Sequence, residues 1–285
     1  MKEKLKFLLA EQLEPWELKL AYKSYDIIGD IAVIRVPELL KQRSKIIAEA
    51  VMHSHKRLKA VWRQTSSVSG NFRLRGLELV LGERKTETVH KEHGCIFKVD
   101  LEKCYFSPRL AYERMRIAQQ VRPDETISNM FAGVGCYSIV IAKYSKPRKI
   151  FSIDTNSFAI QYMRENINLN RVEETVVPVL GDSKKVIEER LQNIADRIIM
   201  PLPEKAYKYL DYAVMALKPT GGWIHYYDFE HAKKGENPIE KTELKASEKL
   251  HTLGASFAVE FGRIVRTTGP NWYQVVLDIR VKERC

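Results

Sequence analysis

The stretch Asn129-Met-Phe-Ala-Gly-Val-Gly-Cys136, followed further along by Phe151-Ser-Ile-Asp154, decides the fold class of this chain. It predicts a strand, a glycine-rich turn, a helix and a second strand that ends at an acidic residue. Gly133 and Gly135 allow the backbone to approach a ligand where a Cβ atom would collide. Asp154, about 20 residues after the turn, is placed to accept hydrogen bonds from both ribose hydroxyls of a nucleoside.

The turn lacks the third glycine that is typical of dinucleotide sites. That glycine lets the helix pack closely on the strand, but Ser138 occupies its position here. A pair of glycines alone is weak evidence, and it is the combination with Asp154 that indicates a nucleoside site. We therefore expect a ligand smaller than a dinucleotide, namely S-adenosylmethionine (SAM).

Alternating strand and helix patterns continue from this turn towards the C-terminus. Strands are expected near residues 126–131, 149–154, 175–180, 196–200 and 221–227, and helices near 136–145, 156–168, 183–193 and 203–217. Such repeated βαβ units predict a parallel sheet that is covered on both faces. A last helix near 240–253 precedes strands over 257–266 and 272–281. A closing antiparallel pair of this kind favours a SAM methyltransferase over a dinucleotide dehydrogenase, whose sheet is parallel throughout.

The first hundred residues show a mixed pattern. Residues 1–20 carry leucines at helical spacing, and 25–36 predict a β-hairpin that turns at Gly29-Asp30. A helix over 37–52, strands over 59–64 and 72–81, and a second hairpin formed by 93–99 and 103–106 are expected to follow. Ser107 is the expected N-cap of the next helix, with Pro108 at its first position. The predicted parts are an N-terminal helical extension (1–20), a small α+β domain (21–105) and a class I, Rossmann-like α/β domain (106–285).

The composition argues against several classes of protein. No run of 18 apolar residues indicates a membrane span, and the N-terminus lacks the apolar core of a signal peptide. The four cysteines form no CxxC pair and have no histidine at the spacing of a zinc site. We therefore expect a cytoplasmic protein with no metal and no membrane partner.

The net charge of +11 and the pI near 9.3 indicate a polyanionic partner. No acidic residue lies between Glu49 and Glu78, where basic residues concentrate. Acid-free basic surfaces bind phosphate backbones, although a solvated basic face without a ligand has the same composition. Together with Arg109, at the join of the two domains, the predicted RNA-binding residues are Lys56, Arg57, Lys59, Arg63, Arg73, Arg75 and Arg109.

Ligands of open parallel sheets bind beyond the carboxyl ends of the strands, so residues at those ends are candidates for the site. Asp182 is suited to accept a hydrogen bond from an adenine amine, and equally suited to cap the following helix. Met200-Pro-Leu-Pro203 predicts a stiff corner that grips a target base, or simply the start of a helix. Tyr226, Tyr227 and Phe229 are candidates to stack on an extruded base, or belong to the core.

Five motifs occur in order along the chain: Tyr105-Phe-Ser-Pro-Arg-Leu110, Met130-Phe-Ala-Gly-Val-Gly135, Glu165-Asn-Ile-Asn-Leu-Asn170, Asp196-Arg-Ile-Ile-Met-Pro-Leu-Pro203 and His225-Tyr-Tyr227. Together they resemble the tRNA guanosine-37 N1-methyltransferases of the archaeal and eukaryotic type and their relatives in wyosine biosynthesis. The resemblance covers about residues 20–285. It implies a class I methyltransferase domain preceded by a small α/β domain, the use of SAM, and action on the nucleotide 3′ of the anticodon.

The resemblance also implies roles for single residues. Arg109 is expected to contact the target base or its phosphate, and the glycine turn with Asp154 and Asp182 is expected to line the SAM pocket. The full predicted cofactor set is Phe131, Gly133, Gly135, Asp154, Asp182 and Pro201. The predicted catalytic set is Arg109, Pro201, Glu204 and Tyr227, in which Glu204 and Tyr227 are candidates for proton removal.

Pro201 sets the expected substrate. Guanosine-N1 enzymes of this family usually carry Asn-Leu-Pro where this chain has Pro201-Leu-Pro203. An asparagine is suited to holding the guanine edge, whereas proline has no side-chain donor or acceptor. Archaeal relatives with a changed motif at this point methylate the tricyclic base 4-demethylwyosine at C7, and a less polar pocket suits the larger fused ring.

We therefore predict a monomeric SAM-dependent methyltransferase that acts on the purine at position 37 in the anticodon loop of tRNA(Phe). The expected acceptor is C7 of 4-demethylwyosine, with N1 of guanosine-37 as a second activity. Two alternatives stay open. One is transfer of the 3-amino-3-carboxypropyl group of SAM to the same carbon, and the other is a non-catalytic RNA-binding module.

Overall fold

The computed structural model describes residues 2–282, except for the side chains of residues 2–4 and 6. The chain forms two compact units, residues 1–111 and 112–285. The predicted boundary between the small domain and the methyltransferase domain, at residues 105 and 106, lies close to this division. The division into an extension, a small domain and a methyltransferase domain with these bounds stays a prediction.

The first unit contains a four-stranded sheet in the order β1-β2-β3-β4 and a two-stranded sheet of β5 and β6. Its elements are helices α1 (Lys2–Ala10), α2 (Pro15–Leu20) and α3 (Ser44–Ser54), 3-10 helices (Glu38–Arg43 and Pro108–Leu110), and strands β1 (Asp26–Ile28), β2 (Ile31–Ile34), β3 (Ala60–Gln64), β4 (Leu77–Gly82), β5 (Glu87–Glu92) and β6 (Cys95–Asp100). The predicted hairpin of β1 and β2 is confirmed, with Gly29 at a φ of 57° in its turn. Leu5 and Leu9 of the predicted helical extension are buried in the same core as Ile47 and Val51 of α3.

The second hairpin of this unit lies earlier in the chain than predicted. The strand expected over 93–99 corresponds to β6, but it pairs antiparallel with β5, so the expected partner strand over 103–106 is wrong. His93 and Gly94 form the turn, with φ angles of 46° and 64°. Left-handed conformation at both central positions is what a type I′ hairpin turn requires. The strand expected over 72–81 likewise begins only at Leu77.

The second unit is built on a seven-stranded sheet. Its elements are helices α4 (Ala111–Ala118), α5 (Cys136–Tyr144), α6 (Ser157–Asn170), α7 (Ser183–Arg190), α8 (Pro203–Ala216) and α9 (Pro238–Thr252), and strands β7 (Thr126–Asn129), β8 (Lys149–Asp154), β9 (Val176–Leu180), β10 (Arg197–Met200), β11 (Gly222–His231), β12 (Phe257–Gly269) and β13 (Trp272–Val281). Ser107 precedes the 3-10 helix that leads into α4, in an extended conformation and without a side-chain capping hydrogen bond.

The strand order of this sheet is β12-β13-β11-β10-β7-β8-β9. Strands β11, β10, β7, β8 and β9 run parallel, and β13 pairs antiparallel with both β11 and β12. The predicted parallel sheet with a closing antiparallel pair is therefore confirmed. Because parallel strands are covered on both faces, β10 is buried at every position.

The two faces of the sheet differ in chemistry. On one face, residues such as Ile198 and Ile224 pack against α7, α8 and α9 in a continuous apolar core. The other face carries buried polar side chains, among them Arg197, His225 and Asp278. Burying such groups costs free energy unless each is hydrogen-bonded, so this face is a candidate for function.

Candidate active site

The glycine-rich turn after β7 places its two glycines in different surroundings. Gly133 has a φ of 55°, and a Cβ atom built there would meet no atom within 4 Å. At Gly135, which has a φ of 90°, a Cβ would lie 2.8 Å from Met163 Cγ and 3.2 Å from Ile139 Cδ1. Gly133 therefore borders open space that a ligand can use, whereas Gly135 lets α5 pack closely against α6.

Asp154, the last residue of β8, is hydrogen-bonded to this turn. Its Oδ2 accepts a hydrogen bond of 2.7 Å from the backbone N–H of Gly133, and its Oδ1 accepts one of 2.9 Å from the N–H of Asn156. Burial raises the pKa of Asp154, and the backbone hydrogen bonds partly oppose that rise. Each carboxylate oxygen has room for a further donor. A nucleoside at the open space beside Gly133 can therefore place its ribose hydroxyls on Asp154, which fits the adenosine part of SAM.

Asp182 caps α7. Its Oδ1 accepts a hydrogen bond of 2.9 Å from the N–H of Lys184, and its Oδ2 accepts one of 2.9 Å from the hydroxyl of Tyr209. Burial and this hydrogen bond raise the pKa of Tyr209 to about 12, so its hydroxyl stays a donor. Phe131 packs edge-on against Tyr209, with ring centroids 5.2 Å apart. The capping role of Asp182 is thus established, and its contact with an adenine amine stays a prediction.

The double-proline corner lies at the strand end next to the glycine turn. Strand β10 pairs with β7, and the backbone N–H of Met130 donates a hydrogen bond of 3.0 Å to the carbonyl of Ile199. Pro201 is half-buried and Pro203 begins α8, which also makes the corner the start of a helix. Glu204 is exposed in the first turn of α8. A ligand on the glycine turn and a base at the corner would therefore occupy adjoining positions.

Tyr227 does not lie where the sequence prediction requires. Its side chain has no exposed surface, and burial raises its pKa well above the ordinary tyrosine value. Its hydroxyl donates a hydrogen bond of 2.8 Å to Glu113 Oε1 and accepts one of 3.3 Å from Tyr137. A phenol with a raised pKa that already donates to a carboxylate stays protonated and cannot act as a base, so the prediction of proton removal by Tyr227 is wrong. Its ring has no exposed face on which a base could stack, so the stacking prediction is wrong as well. Tyr226, equally buried and bonded to Asp228, is excluded from stacking as well.

Glu113 is a candidate site residue that the sequence prediction missed. Its Oε1 accepts hydrogen bonds from Tyr227 and from two nitrogens of Arg116, while Oε2 is buried with no hydrogen-bond partner in the described part of the chain. Arg263 Nη1 lies 3.8 Å from Oε2, beyond hydrogen-bond distance. A buried carboxylate oxygen without a hydrogen bond is costly, which makes Glu113 a candidate for function. Its sequence surroundings, Tyr112-Glu-Arg-Met-Arg116, are those of a solvated helix, so no local signal indicates the burial.

The basic segment of the first unit is only partly a phosphate-binding surface. Lys56, Arg57 and Lys59 are exposed, as predicted. Arg63, however, is 7% exposed and forms an ion pair with Glu78 of β4. The prediction that Arg63 contacts RNA is therefore wrong, because the fold brings an acidic partner from outside the acid-free segment.

Two further arginines of this segment are also held by the protein. Arg75 lies 3.5 Å from the carboxylate of Asp26 and donates a hydrogen bond of 3.2 Å to the carbonyl of Phe106, which corrects its predicted role as a solvent-facing phosphate contact. Arg73 stacks over the ring of Tyr105, with its guanidinium carbon 4.4 Å from the centroid. Stacking leaves the donors of a guanidinium directed to its edges, so a phosphate contact by Arg73 stays a prediction.

Arg109 lines a cavity of about 430 Å³ in the first unit. Its Nε donates a hydrogen bond of 2.6 Å to Asp26 Oδ1, and its side chain is 41% exposed. Tyr25 and His55, joined by a hydrogen bond of 2.7 Å, line the same cavity. The guanidinium of Arg109 is therefore oriented but accessible, and its contact with the base or phosphate stays a prediction.

The described part of the chain offers neither a metal site nor a membrane-spanning helix. Residues 2–282 contain no group of three or more His, Cys, Asp or Glu side chains placed to hold a metal ion. Cys95, Cys104 and Cys136 are free and buried, and Cys285 lies outside the described residues. None of the described helices combines the length and the apolar character that a bilayer crossing needs.

Comparison with known proteins gives relatives for both units. Residues 88–253 match the family model described as TRM5/TYW2 methyltransferase domain, and residues 5–86 match the TYW2 N-terminal domain. Trm5b of Pyrococcus abyssi, a tRNA (guanine(37)-N(1))-methyltransferase, is 42% identical over 258 residues, which cover 90% of this chain and 74% of the relative. Taw21 of Saccharolobus solfataricus, a tRNA 4-demethylwyosine(37)-methyltransferase, is 40% identical over 260 residues, which cover 91% and 94%.

A third relative is named for the transfer of a group other than methyl. The tRNA(Phe) (4-demethylwyosine(37)-C(7)) aminocarboxypropyltransferase of Methanocaldococcus jannaschii is 34% identical over 257 residues, which cover 90% of this chain and 97% of the relative. Among solved structures, aTrm5 in complex with tRNALeu superposes with a TM-score of 0.84 at 32% identity, covering 99% of this chain and 79% of that one. TYW2 of M. jannaschii in complex with AdoMet gives 0.70 at 28% identity, covering 92% and 100%.

Proposed function

Because this chain belongs to the TRM5/TYW2 methyltransferase family, we propose that it methylates the purine at position 37 of tRNA(Phe), with C7 of 4-demethylwyosine as the principal acceptor. The protein is a SAM-dependent tRNA methyltransferase. The nucleotide, the acceptor atom and the residues that act on it are the proposed part. N1 of guanosine-37 is included as a second acceptor.

The observation that carries this proposal is Pro201 at the end of β10, beside the glycine turn. Proline offers neither a side-chain donor nor a backbone N–H, so Pro201 can donate no hydrogen bond to the guanine edge and has only its carbonyl oxygen as an acceptor. A fused tricyclic ring presents more apolar surface and needs fewer polar partners there. Support also comes from the relative named as a 4-demethylwyosine(37)-methyltransferase, at 40% identity.

Two tasks fall to the protein in such a reaction. When bound, SAM supplies a methyl group that its sulfonium already activates. The chain must place the acceptor ring atom in line with that methyl group, and it must take the proton that the ring atom releases. The turn at Gly133 and the carboxylate of Asp154 hold the nucleoside part, and the corner at Pro201 holds the base.

We propose that Oε2 of Glu113 accepts the proton that the ring atom releases. This oxygen accepts no hydrogen bond from any described group, although Arg263 Nη1 lies 3.8 Å from it, whereas the phenol of Tyr227 already donates to Oε1 of the same carboxylate. In ligand-free structures a catalytic base often meets its substrate only when the complex closes, so its present burial is compatible with the role. Glu204, exposed at the start of α8, stays the second candidate.

The decisive experiment is product analysis by mass spectrometry. The protein is incubated with SAM and with tRNA(Phe) that carries either guanosine-37 or 4-demethylwyosine-37. We expect methylation of the tricyclic base, and lower or equal methylation of guanosine. Transfer to guanosine alone would overturn the choice of acceptor, and transfer to neither would overturn the proposed function.

The second candidate is transfer of the 3-amino-3-carboxypropyl group to the same carbon, which the 34% identical aminocarboxypropyltransferase favours. The same mass spectrum separates the two, because this group adds far more mass than a methyl group. The run Pro201-Leu-Pro-Glu-Lys205 resembles the methyltransferases more closely, since the transferase motif is typically glycine-containing.

The partner and setting follow from the same proposal. We propose that the anticodon loop of tRNA(Phe) contacts Lys56, Arg57, Lys59, Arg73 and Arg109, and that the protein acts as a cytoplasmic monomer. Protection of the loop nucleotides in a footprint and a monomeric mass in light scattering are the expected results.

A further inference from the structure

We propose that Arg116, Asp278 and His225 are positioning residues for methyl transfer, because they fix the carboxylate of Glu113 so that only its Oε2 is free to take a proton. This inference rests on the proposed function and adds three residues to it. They belong to a buried network on the polar face of the sheet, which consists of Glu113, Arg116, Asp278, His225, Arg197 and Glu125.

The first link of the buried network is a guanidinium shared by two carboxylates. Arg116, one helical turn after Glu113, donates to Glu113 Oε1 from Nε at 3.0 Å and from Nη2 at 2.7 Å. It also donates to Asp278, from Nη1 at 2.6 Å and from Nη2 at 3.0 Å. A planar guanidinium bonded on two sides cannot rotate without breaking several charge-assisted hydrogen bonds. Through Arg116, the orientation of the Glu113 carboxylate on α4 therefore depends on the position of Asp278 on β13.

Asp278 is fixed in turn by His225 and Gln120. Its Oδ1 accepts a hydrogen bond of 2.6 Å from His225 Nδ1, and its Oδ2 accepts one of 3.0 Å from Gln120 Nε2. Burial opposes ionisation of Asp278, but the hydrogen bonds from His225 and Arg116 outweigh it and lower the pKa of the carboxyl. Asp278 is therefore a carboxylate, which accepts from every neighbour and donates to none.

The tautomer of His225 follows from its other partner. Arg197 Nη1 lies 2.7 Å from His225 Nε2, and a guanidinium can only donate. Nε2 must therefore accept, which leaves the proton on Nδ1, where it is donated to Asp278. Burial lowers the pKa of His225, in agreement with a neutral ring. Arg197 is anchored to Glu125 by hydrogen bonds of 2.6 and 3.0 Å, so the network ends in a fixed ion pair at the amino end of β10.

The distribution of donors at Glu113 indicates positioning rather than stabilisation alone. Three hydrogen bonds converge on Oε1, and none reaches Oε2, although Arg263 Nη1 lies 3.8 Å from it. A buried ionic network is an expensive way to stabilise a fold, and apolar side chains of similar volume often serve as well.

The test compares Asp278→Asn, Arg116→Lys and Arg116→Gln with the wild type in the full-length protein. Single-turnover methyl transfer is measured with saturating SAM and with tRNA that carries the preferred purine. We expect Asp278→Asn to lower the rate roughly 10- to 100-fold, which is the scale for small misplacements of a reacting group. Affinities for SAM and tRNA are expected to stay within about twofold, because none of these residues is assigned to binding. Arg116→Lys, which keeps the charge but not the fork, is expected to fall between the wild type and Arg116→Gln.

A matched control and a double-mutant cycle separate positioning from stability. Lys218→Gln removes an ion pair with Asp196 that lies outside the buried network, and it is expected to lower the melting temperature slightly with little change in rate. In a Glu113→Gln background, Asp278→Asn is expected to have no further effect on rate, because it acts through Glu113. A wild-type rate for folded Asp278→Asn, or an effect that persists without Glu113, would overturn the inference. Failure of the wild type to methylate either tRNA would instead overturn the proposed function.

Discussion

The backbone N–H of Met130 donates a hydrogen bond of 3.0 Å to the carbonyl of Ile199. This single contact joins the residue that enters the glycine turn to the strand that ends at the double-proline corner. Because β7 and β10 are neighbours in the sheet, the two turns leave it side by side, and neither can move far without the other. The proposed cofactor position and the proposed base position are therefore set by one pair of parallel strands.

The two glycines of the turn are expected to respond differently to alanine. Both have positive φ angles, so each substitution costs about 1–2 kcal/mol of backbone strain. At Gly135 the new methyl group also meets Met163 Cγ at 2.8 Å, and crowding of this kind adds about 1–3 kcal/mol. Gly135→Ala should therefore lower the melting temperature more than Gly133→Ala.

SAM affinity should show the opposite order. The methyl group of Gly133→Ala projects into the open space that we assign to the ligand, so calorimetry is expected to show SAM binding at least tenfold weaker than in the wild type, a change of about 1.4 kcal/mol. Wild-type SAM affinity in a folded Gly133→Ala protein would place the ligand elsewhere.

Asp154 should make the stability of the fold depend on pH. Because the pKa of Asp154 is raised in the folded state, the folded protein binds the proton more tightly than the unfolded chain, whose aspartates have pKa values of about 3.9. Its contribution to stability is present at pH values below that unfolded value and is lost as the pH rises through the raised folded pKa. Relative to Asp154→Asn, the wild type should therefore be less stable at pH 8 than at pH 4.

Urea unfolding of both proteins at several pH values measures this difference. A constant difference in the free energy of unfolding across the range would show that the two backbone hydrogen bonds to Asp154 fully offset its burial. In that case burial of the ionised carboxylate would not destabilise the folded protein, and hydrogen bonds from ligand hydroxyls would have no such destabilisation to offset.

Local patterns were sufficient to predict most of the second unit. The strand from Lys149 to Asp154 has the bounds expected from the sequence, because an apolar run between turn residues is a local signal. The hairpin at His93-Gly94 was missed because a left-handed histidine has no such signal. Glu113 was missed for a different reason. Its burial depends on Arg116 and on Asp278, which is remote in sequence, and no window of residues around Glu113 contains that information.

The basic residues of the first unit show again that partners from other segments leave no local signal in the sequence. They also lead to a prediction on RNA binding. Lys56→Gln and Arg57→Gln should each weaken tRNA binding and reduce the dependence of log affinity on log salt concentration by about one, because each removes one phosphate contact. Arg63→Gln serves as the matched control. It is expected to cost about 1 kcal/mol of stability through the lost pair with Glu78, and to leave the salt dependence unchanged. A reduced salt dependence of tRNA affinity in Arg63→Gln would indicate that Arg63 contacts RNA after all.

The substitution Pro201→Asn tests the choice of acceptor base. Asparagine introduces a side-chain donor and acceptor at the corner and restores a backbone N–H, which together suit the polar edge of guanine. A tricyclic ring that cannot pair with these groups leaves them unsatisfied, and buried polar groups without partners discriminate strongly against such a substrate. We expect kcat/KM for tRNA with 4-demethylwyosine to fall about tenfold while that for guanosine-37 falls less or rises.

Pro201→Ala is the matched control, because it removes the ring without adding a polar side chain. It relaxes the corner for both substrates, and the two kcat/KM values should fall by similar factors. The ratio of the two activities is the quantity to compare, since it cancels any loss of folded enzyme. If Pro201→Asn lowers both activities equally, as Pro201→Ala is expected to do, the corner shapes the site without reading the base, and the preference for the tricyclic ring must originate from other residues.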